Sequence, residues 1–228
     1  MQVANNSTLY FFDVECSVDE KAERTVRKQA NATYLYRPVD CTSLTLEQWE
    51  EKCARDACLK AEYSRVLVMS LIVENADGIV KRCIIGIDSS TGRFFEDEAQ
   101  CLHRIWNHYA PFNPATDLLI GHNVLNFDLP FLIKRSIIHK IKPSIHPSFA
   151  RYRAQPIFDT MQIWQRWNGA ISLDTLAQTL GLESSKQGIN GSQVYDFYRA
   201  GRHREIADYC ARDVLVTREI YRRLTFAE

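Results

Sequence analysis

Residues 7–15, STLYFFDVE, form a run of β-branched and aromatic residues that ends in two acids. Such a run fits the pleated, half-buried environment of a core strand, and the acids mark where its carboxyl end leaves the core. Asp13 and Glu15 stand two apart, so strand alternation turns both side chains to one face. Acids set against a core need partners or a cation, and convergent carboxylates chelate hard divalent ions. The chain therefore has to fold so that the end of its first strand opens onto a polar site.

Residues 16–62 are more polar, with a helix expected over residues 45–62, where Thr45 and Gln48 stand at capping-box spacing. This segment reads as an insertion between strands. Residues 65–74 and 79–88 are then expected as two strands of a hairpin, joined by a short turn at residues 75–78. Helices and short strands alternate beyond it. A helix over residues 94–109, with Ala99, Leu102, Ile105, Trp106 and Tyr109 on one face, leads to a strand at residues 118–121 and a helix over 127–139. A loop punctuated by Pro143, Pro147 and Pro156 follows, then the apolar pair Ile157 and Phe158, a helix from Asp159, and helices over residues 172–180 and 204–224. Ile163, Trp164 and Trp167 read as the core side of their helix. No repeat or interdomain linker breaks this order. Residues 1–228 are expected to form a single α/β domain, a mixed central β-sheet flanked by helices.

Composition narrows the function classes. The 28 Lys and Arg cancel the 28 Asp and Glu, so bulk charge gives no reason to expect a polyanion. Residues 1–128 nevertheless carry six more acids than bases and residues 129–228 six more bases than acids, which suits an acidic metal site beside a basic cleft. Seven irregularly spaced cysteines fit no disulfide framework, and Cys41, Cys53 and Cys58 lack the paired spacing of a zinc site. The N-terminal residues 1–9 are polar, and no apolar stretch approaches the roughly 20 residues of a membrane span. A soluble cytoplasmic protein with no membrane partner is expected.

Two further segments carry candidate chemistry. GHNVLNFDLPFL, residues 121–132, is a strand-to-helix turn in which Asp128 opens the helix, where an acid is also a good cap. YCARD, residues 209–213, puts Tyr209 and Asp213 four apart on one face of the last helix. D-x-E on the first strand, N-x-x-x-F-D opening a central helix and Y-x-x-x-D on the last helix, in this order, resemble the three motifs of the DEDD superfamily of 3′–5′ exonucleases. Asp208, not His, stands five residues before Asp213, which matches the tyrosine (DEDDy) branch. The stretch over residues 121–132 and that over residues 173–217 look like the predicted exonucleases related to the proofreading domain of family B DNA polymerases.

That resemblance implies a ribonuclease H-like fold and metal-dependent hydrolysis of phosphodiester bonds from a 3′ end, releasing nucleoside 5′-monophosphates. Two divalent cations, Mg²⁺ or Mn²⁺, about 3.5–4 Å apart would assist in-line attack. Asp13 would bridge them, Glu15 and Asp213 would complete the nucleophile side, and Asp128 would serve the other ion largely through water. Tyr209 would position the attacking water; with an ordinary pKa near 10 it would not be the base. Asn123 and Phe127 would meet the terminal nucleotide and Lys186 a phosphate, while Arg202 and Arg204 are weaker phosphate candidates. Asp159 and Asp174 read as helix-start acids. Single-stranded DNA is the expected substrate, with an exoribonuclease as the rival. A non-catalytic nucleic-acid-binding module would have lost at least one metal acid, and all four stand at motif positions. Too little sequence follows Asp213 for a polymerase domain, so work in replication or repair would be in trans, beside a polymerase or another protein.

Overall fold

Alternation along the first strand, β1 (Leu9–Val18), sends Phe11 to one face of a five-stranded sheet and Tyr10, Phe12 and Val14 to the other. The computed structural model describes residues 7–149, 152–186 and 188–227, so the first six residues of the polar N-terminal stretch lie outside the described residues. Strand order is β3-β2-β1-β4-β5. The hairpin β2 (Ser64–Glu74) and β3 (Val80–Ile85) is antiparallel and pairs with β1 through β2, whereas β4 (Leu118–Gly121) and β5 (Ile157–Asp159) run parallel to β1. Parallel strands deliver their carboxyl ends to one edge, which makes that edge the natural ligand site of an α/β sheet.

Helices α3 (Glu98–Tyr109) and α4 (Asp128–Ile138) cover the face that holds Tyr10, Phe12, Val14, Met69 and Leu71. The long helix α8 (His203–Thr225) covers the other, with Val214 and Tyr221 against Phe11, Ile72, Ile120 and Phe158. Each fully buried large side chain on these faces contributes about 2 kcal/mol of hydrophobic stabilisation. Helix α6 (Leu173–Thr179) packs on α8 through Leu176, Ala177 and Ile220. This is a mixed sheet flanked by helices in one domain, as expected. Among the described residues no helix is long and apolar enough to cross a membrane.

Several element bounds differ from expectation. β1 runs three residues past Glu15, so residues 16–18 of the anticipated insertion belong to the sheet. The rest folds onto it as α1 (Glu20–Thr33) and α2 (Leu46–Ala57). The Thr45–Gln48 capping box starts α2 as expected, but the helix ends at Ala57, five residues early. α1 was not anticipated, because it is the most polar of the long helices and buries only Val26 and Ala30, although its residues are amphipathic and Asp19 caps its start. α3 starts at Glu98 and not residue 94, since Asp97 caps it and Phe94 is held in a bridge to Ile87. The short α7 (Val194–Arg199) was also missed. The expected core role of Trp164 and Trp167 is overturned. α5 (Thr160–Gln165) buries Met161 and part of Ile163, while Trp164 is 38% exposed and Trp167 lines a surface groove.

Candidate active site

β1 makes the first contribution. Because Phe11 faces α8, Asp13 and Glu15, two and four residues on, face the same helix. The register with β2 shifts between Glu15 and Cys16, so the strand bends just beyond the acids. α8 presents Tyr209 and Asp213 to them from consecutive turns, and the Cys210 thiol donates to the Asp13 carbonyl oxygen at 3.3 Å. One carboxylate oxygen each from Asp13, Glu15 and Asp213 then lie within 4.8 Å of one another. Among the described residues, Asp13 Oδ2 and Asp213 Oδ1 are buried side-chain oxygens without a hydrogen-bond partner. Buried carboxylate oxygens left unpaired are costly in a protein interior, and hard divalent cations take such oxygens as ligands. The donor set fits a divalent metal.

Asp128 approaches from the other side of β1. Its Oδ1 accepts from the Val14 N–H at 3.1 Å, and the side chain is buried. The loop before it follows from the parallel pairing of β4 with β1. At Gly121 a Cβ would collide with the Val124 side chain and lie 3.0 Å from the Phe12 carbonyl oxygen, so only glycine lets the chain turn this close to β1. Asp159, at the carboxyl end of β5 beside Gly121, accepts from the N–H groups of Asn123 at 2.9 Å and Leu125 at 3.1 Å while capping α5. It thereby pins the loop that carries Asn123, whose φ of 65° is left-handed. His122, half-buried, bridges Thr160 Oγ1 and the Ile171 carbonyl, both at 2.9 Å.

These groups line a cleft of about 490 Å³. Asp13, Glu15, Asp128, Tyr209, Asp213, Asn123 and Phe127 all lie on it. Lys186 does not; it is exposed and paired with Asp174 at 3.1 Å, near enough for its charge to reach Asp213. Arg202 pairs with Glu205 at 2.6 Å. Sequence reasoning did not anticipate a wall built by the end of α2, Arg55 to Leu59, or the part played by Asp159, which an isolated helix-start acid does not signal.

Electrostatics follow from crowding like charges in a buried place. Burial, then repulsion from Asp128 and Asp213, pushes Asp13 well above the ordinary carboxylate range, and burial with repulsion from its neighbours does the same to Glu15. Burial raises Asp128 to about 7. Asp213 is raised by burial, an effect the Ser185 and Tyr209 hydroxyls partly offset. Tyr209 is raised by burial and by Asp213, Glu15 and Asp13, so its phenol keeps its proton.

A family model described as a predicted 3′–5′ exonuclease related to the exonuclease domain of PolB matches residues 56–228, well over half of the chain. The chain belongs to this family of exonucleases. Membership implies a nucleic-acid substrate and dependence on a divalent metal, for which the exonuclease has the carboxylate cluster described above. The match starts beyond Asp13 and Glu15, so their convergence with Asp213 is independent of it. Among solved structures, the exonuclease is similar to the family B DNA polymerase of the hyperthermophilic archaeon Pyrobaculum calidifontis, with a TM-score of 0.59 and 16% identity. That likeness concerns the fold; it takes in 96% of this chain and 24% of the polymerase, so the exonuclease spans about a quarter of its length. No curated protein sequence matches the chain.

Proposed function

We propose that the protein removes nucleoside 5′-monophosphates from the 3′ end of single-stranded DNA with two divalent cations, Mg²⁺ or Mn²⁺, as a member of the DEDDy group. The observation that carries this reading is the meeting of Asp13, Glu15 and Asp213 oxygens within 4.8 Å, two of these carboxylates having a buried oxygen with no partner. Asp13, Glu15, Asp128 and Asp213 are the residues that would hold the ions. When bound, the ions supply charge neutralisation at the scissile phosphate and a more acidic attacking water.

The rest is the work of the chain's own side chains. Tyr209, protonated across the working range, holds a water by its hydroxyl, which can both donate and accept. Gly191 borders that hydroxyl, where a Cβ would stand in ordinary van der Waals contact at 3.7 Å. Asn123 and Phe127 contact the terminal nucleotide at the cleft wall, and Asp159 positions their loop through its backbone bonds. Lys186 adds positive charge at the edge for a phosphate. We read residues 1–228 as one exonuclease domain with an insertion at about residues 16–62, serving replication or repair.

Degradation of matched 5′-labelled DNA and RNA oligonucleotides with Mg²⁺, Mn²⁺ or EDTA, with Asp13→Ala in parallel, tests this. A metal-dependent ladder shortening from the 3′ end of DNA, absent in the variant, is expected. Preferential loss of RNA would make the enzyme an exoribonuclease, and no degradation of either by folded protein would overturn the reading.

A further inference from the structure

A second concavity of about 400 Å³ adjoins the catalytic cleft and is lined by Leu125, Asn126, Phe149, Gln162, Trp167 and Gly169. The two share the loop before α4. Asn123 and Phe127 lie on the cleft, Leu125 and Asn126 lie on the groove, and Asn126 Nδ2 donates to Asn123 Oδ1 at 3.2 Å across the divide.

Trp167 reaches the groove by an unusual route. α5 stops at Gln165, and Arg166 and Trp167 both take left-handed backbone, with φ of 51° and 64°. A bulky residue in that region is a genuine outlier, and such strain concentrates where a side chain has to be presented. The turn is held by the Trp167 N–H donating to the Gln162 carbonyl at 3.0 Å, and the ring is braced by Tyr152, with centroids 5.5 Å apart. Phe149 remains 39% exposed at the rim. None of the described lining residues is a carboxylate, in contrast to the cleft with its five acids, Asp13, Glu15, Asp56, Asp128 and Asp213. The groove thus offers flat aromatic faces with the neutral amides of Asn126 and Gln162. Nucleobases match that chemistry, because every base has a stacking face and hydrogen-bonding edges.

We propose that this groove is a binding site for unpaired bases of the substrate strand upstream of the scissile nucleotide, with Trp167 as its stacking platform. The inference rests on the proposed function, since it takes the strand to end in the adjoining cleft. Asn126 and Asn123 mark the passage between the terminal nucleotide and those that precede it.

The test compares wild type, Trp167→Phe and Trp167→Ala on oligodeoxythymidylates of two and eight nucleotides. Binding is read by tryptophan fluorescence and anisotropy with Ca²⁺ in place of Mg²⁺, and KM and kcat with Mg²⁺. Trp167→Ala is expected to bind the eight-mer on the order of tenfold more weakly, with a matching rise in KM and unchanged kcat. Trp167→Phe should recover most of the loss, and the two-mer, too short to fill the groove, should not distinguish the proteins. Equal eight-mer affinity in wild type and Trp167→Ala overturns the groove, as does an equal loss on both lengths, which would make Trp167 a structural residue or part of the terminal site. A wild type that neither binds nor cleaves either oligonucleotide overturns the proposed function itself, and the groove with it.

Discussion

The backbone N–H of Val14 donates to Asp128 Oδ1 at 3.1 Å, joining the middle of the first strand's D-x-E to the acid that opens α4. Asp128 thus has two tasks. One oxygen satisfies a buried amide of β1, and the carboxylate adds charge to the cleft.

The two tasks separate by substitution. Asp128→Asn keeps an acceptor for Val14 and removes the charge, so it should fold with unchanged or higher thermal stability while losing activity about a thousandfold, roughly 4 kcal/mol of transition-state stabilisation. Asp128→Ala should lose activity equally and also cost about 1–3 kcal/mol for the unpaired amide. Thermal melts beside a nuclease assay separate them, and wild-type rates in Asp128→Asn would remove the carboxylate from the mechanism.

The acids also set a pH dependence on the metal-free protein. Asp13, Glu15, Asp128 and Asp213 are all raised, Asp128 to about 7 against an unfolded value near 4, so folding takes up protons across that window. Stability should therefore be greatest at the acid end and fall as pH rises from about 5 to 8. Divalent cations should oppose the fall. Melting curves in EDTA and in Mg²⁺ across that range should diverge as pH increases, and parallel curves would contradict the burial of uncompensated charge.

Tyr209→Phe should be the mildest change in the cleft. It keeps every carboxylate and removes a hydroxyl, so a loss of about tenfold to a hundredfold in kcat is expected, against about a thousandfold for Asp213→Asn. Because the phenol keeps its proton, the variant should retain the wild-type pH profile. A profile that loses its basic limb in Tyr209→Phe would show instead that the phenol titrates.

Away from the cleft, Arg135 holds a buried acid in place. Its Nε and Nη2 meet Glu98 Oε1 and Oε2 at 2.9 and 2.5 Å, and Glu98 also accepts from the Val66 N–H at 2.8 Å. These bonds to Arg135 and Val66 keep the Glu98 carboxyl below its ordinary value although burial works to raise it. With both side chains nearly covered, Arg135→Met would leave the carboxylate only the Val66 N–H and His139 Nε2, 2.8 Å from Oε2, and should cost up to about 3–5 kcal/mol. Urea denaturation measures this, and Glu98→Gln combined with Arg135→Met should recover part of it.

Element order and type were legible in the chain because their causes are local. The Thr45–Gln48 box starts α2, Asp159 and Ser172 cap two more helices, and the apolar spacing of residues 99–109 describes the buried face of α3. Expectation failed at α1, whose Asp19 cap and first-turn acids are offset by a very polar composition with only Val26 and Ala30 buried, and at Trp167, where nothing nearby announces two left-handed residues in succession. The acids could be named as candidates from D-x-E, N-x-x-x-F-D and Y-x-x-x-D, but spacing along a chain carries no distance between segments.

By itself, then, the sequence determined an α/β chain with acids at the end of its first strand, at the start of a central helix and on the last helix. Only the tertiary structure decided that Asp13 and Glu15 meet Asp213 on the α8 side, that Val14 reaches Asp128, and that Asp159 pins the Asn123 loop. It also decided that Trp167 leaves the core for a groove. The physical reason is the same in each case. Caps and periodicity act within one or two turns, whereas these meetings depend on the parallel register of β1, β4 and β5 and on the packing of α8 across the sheet, which are set by burial of the whole core.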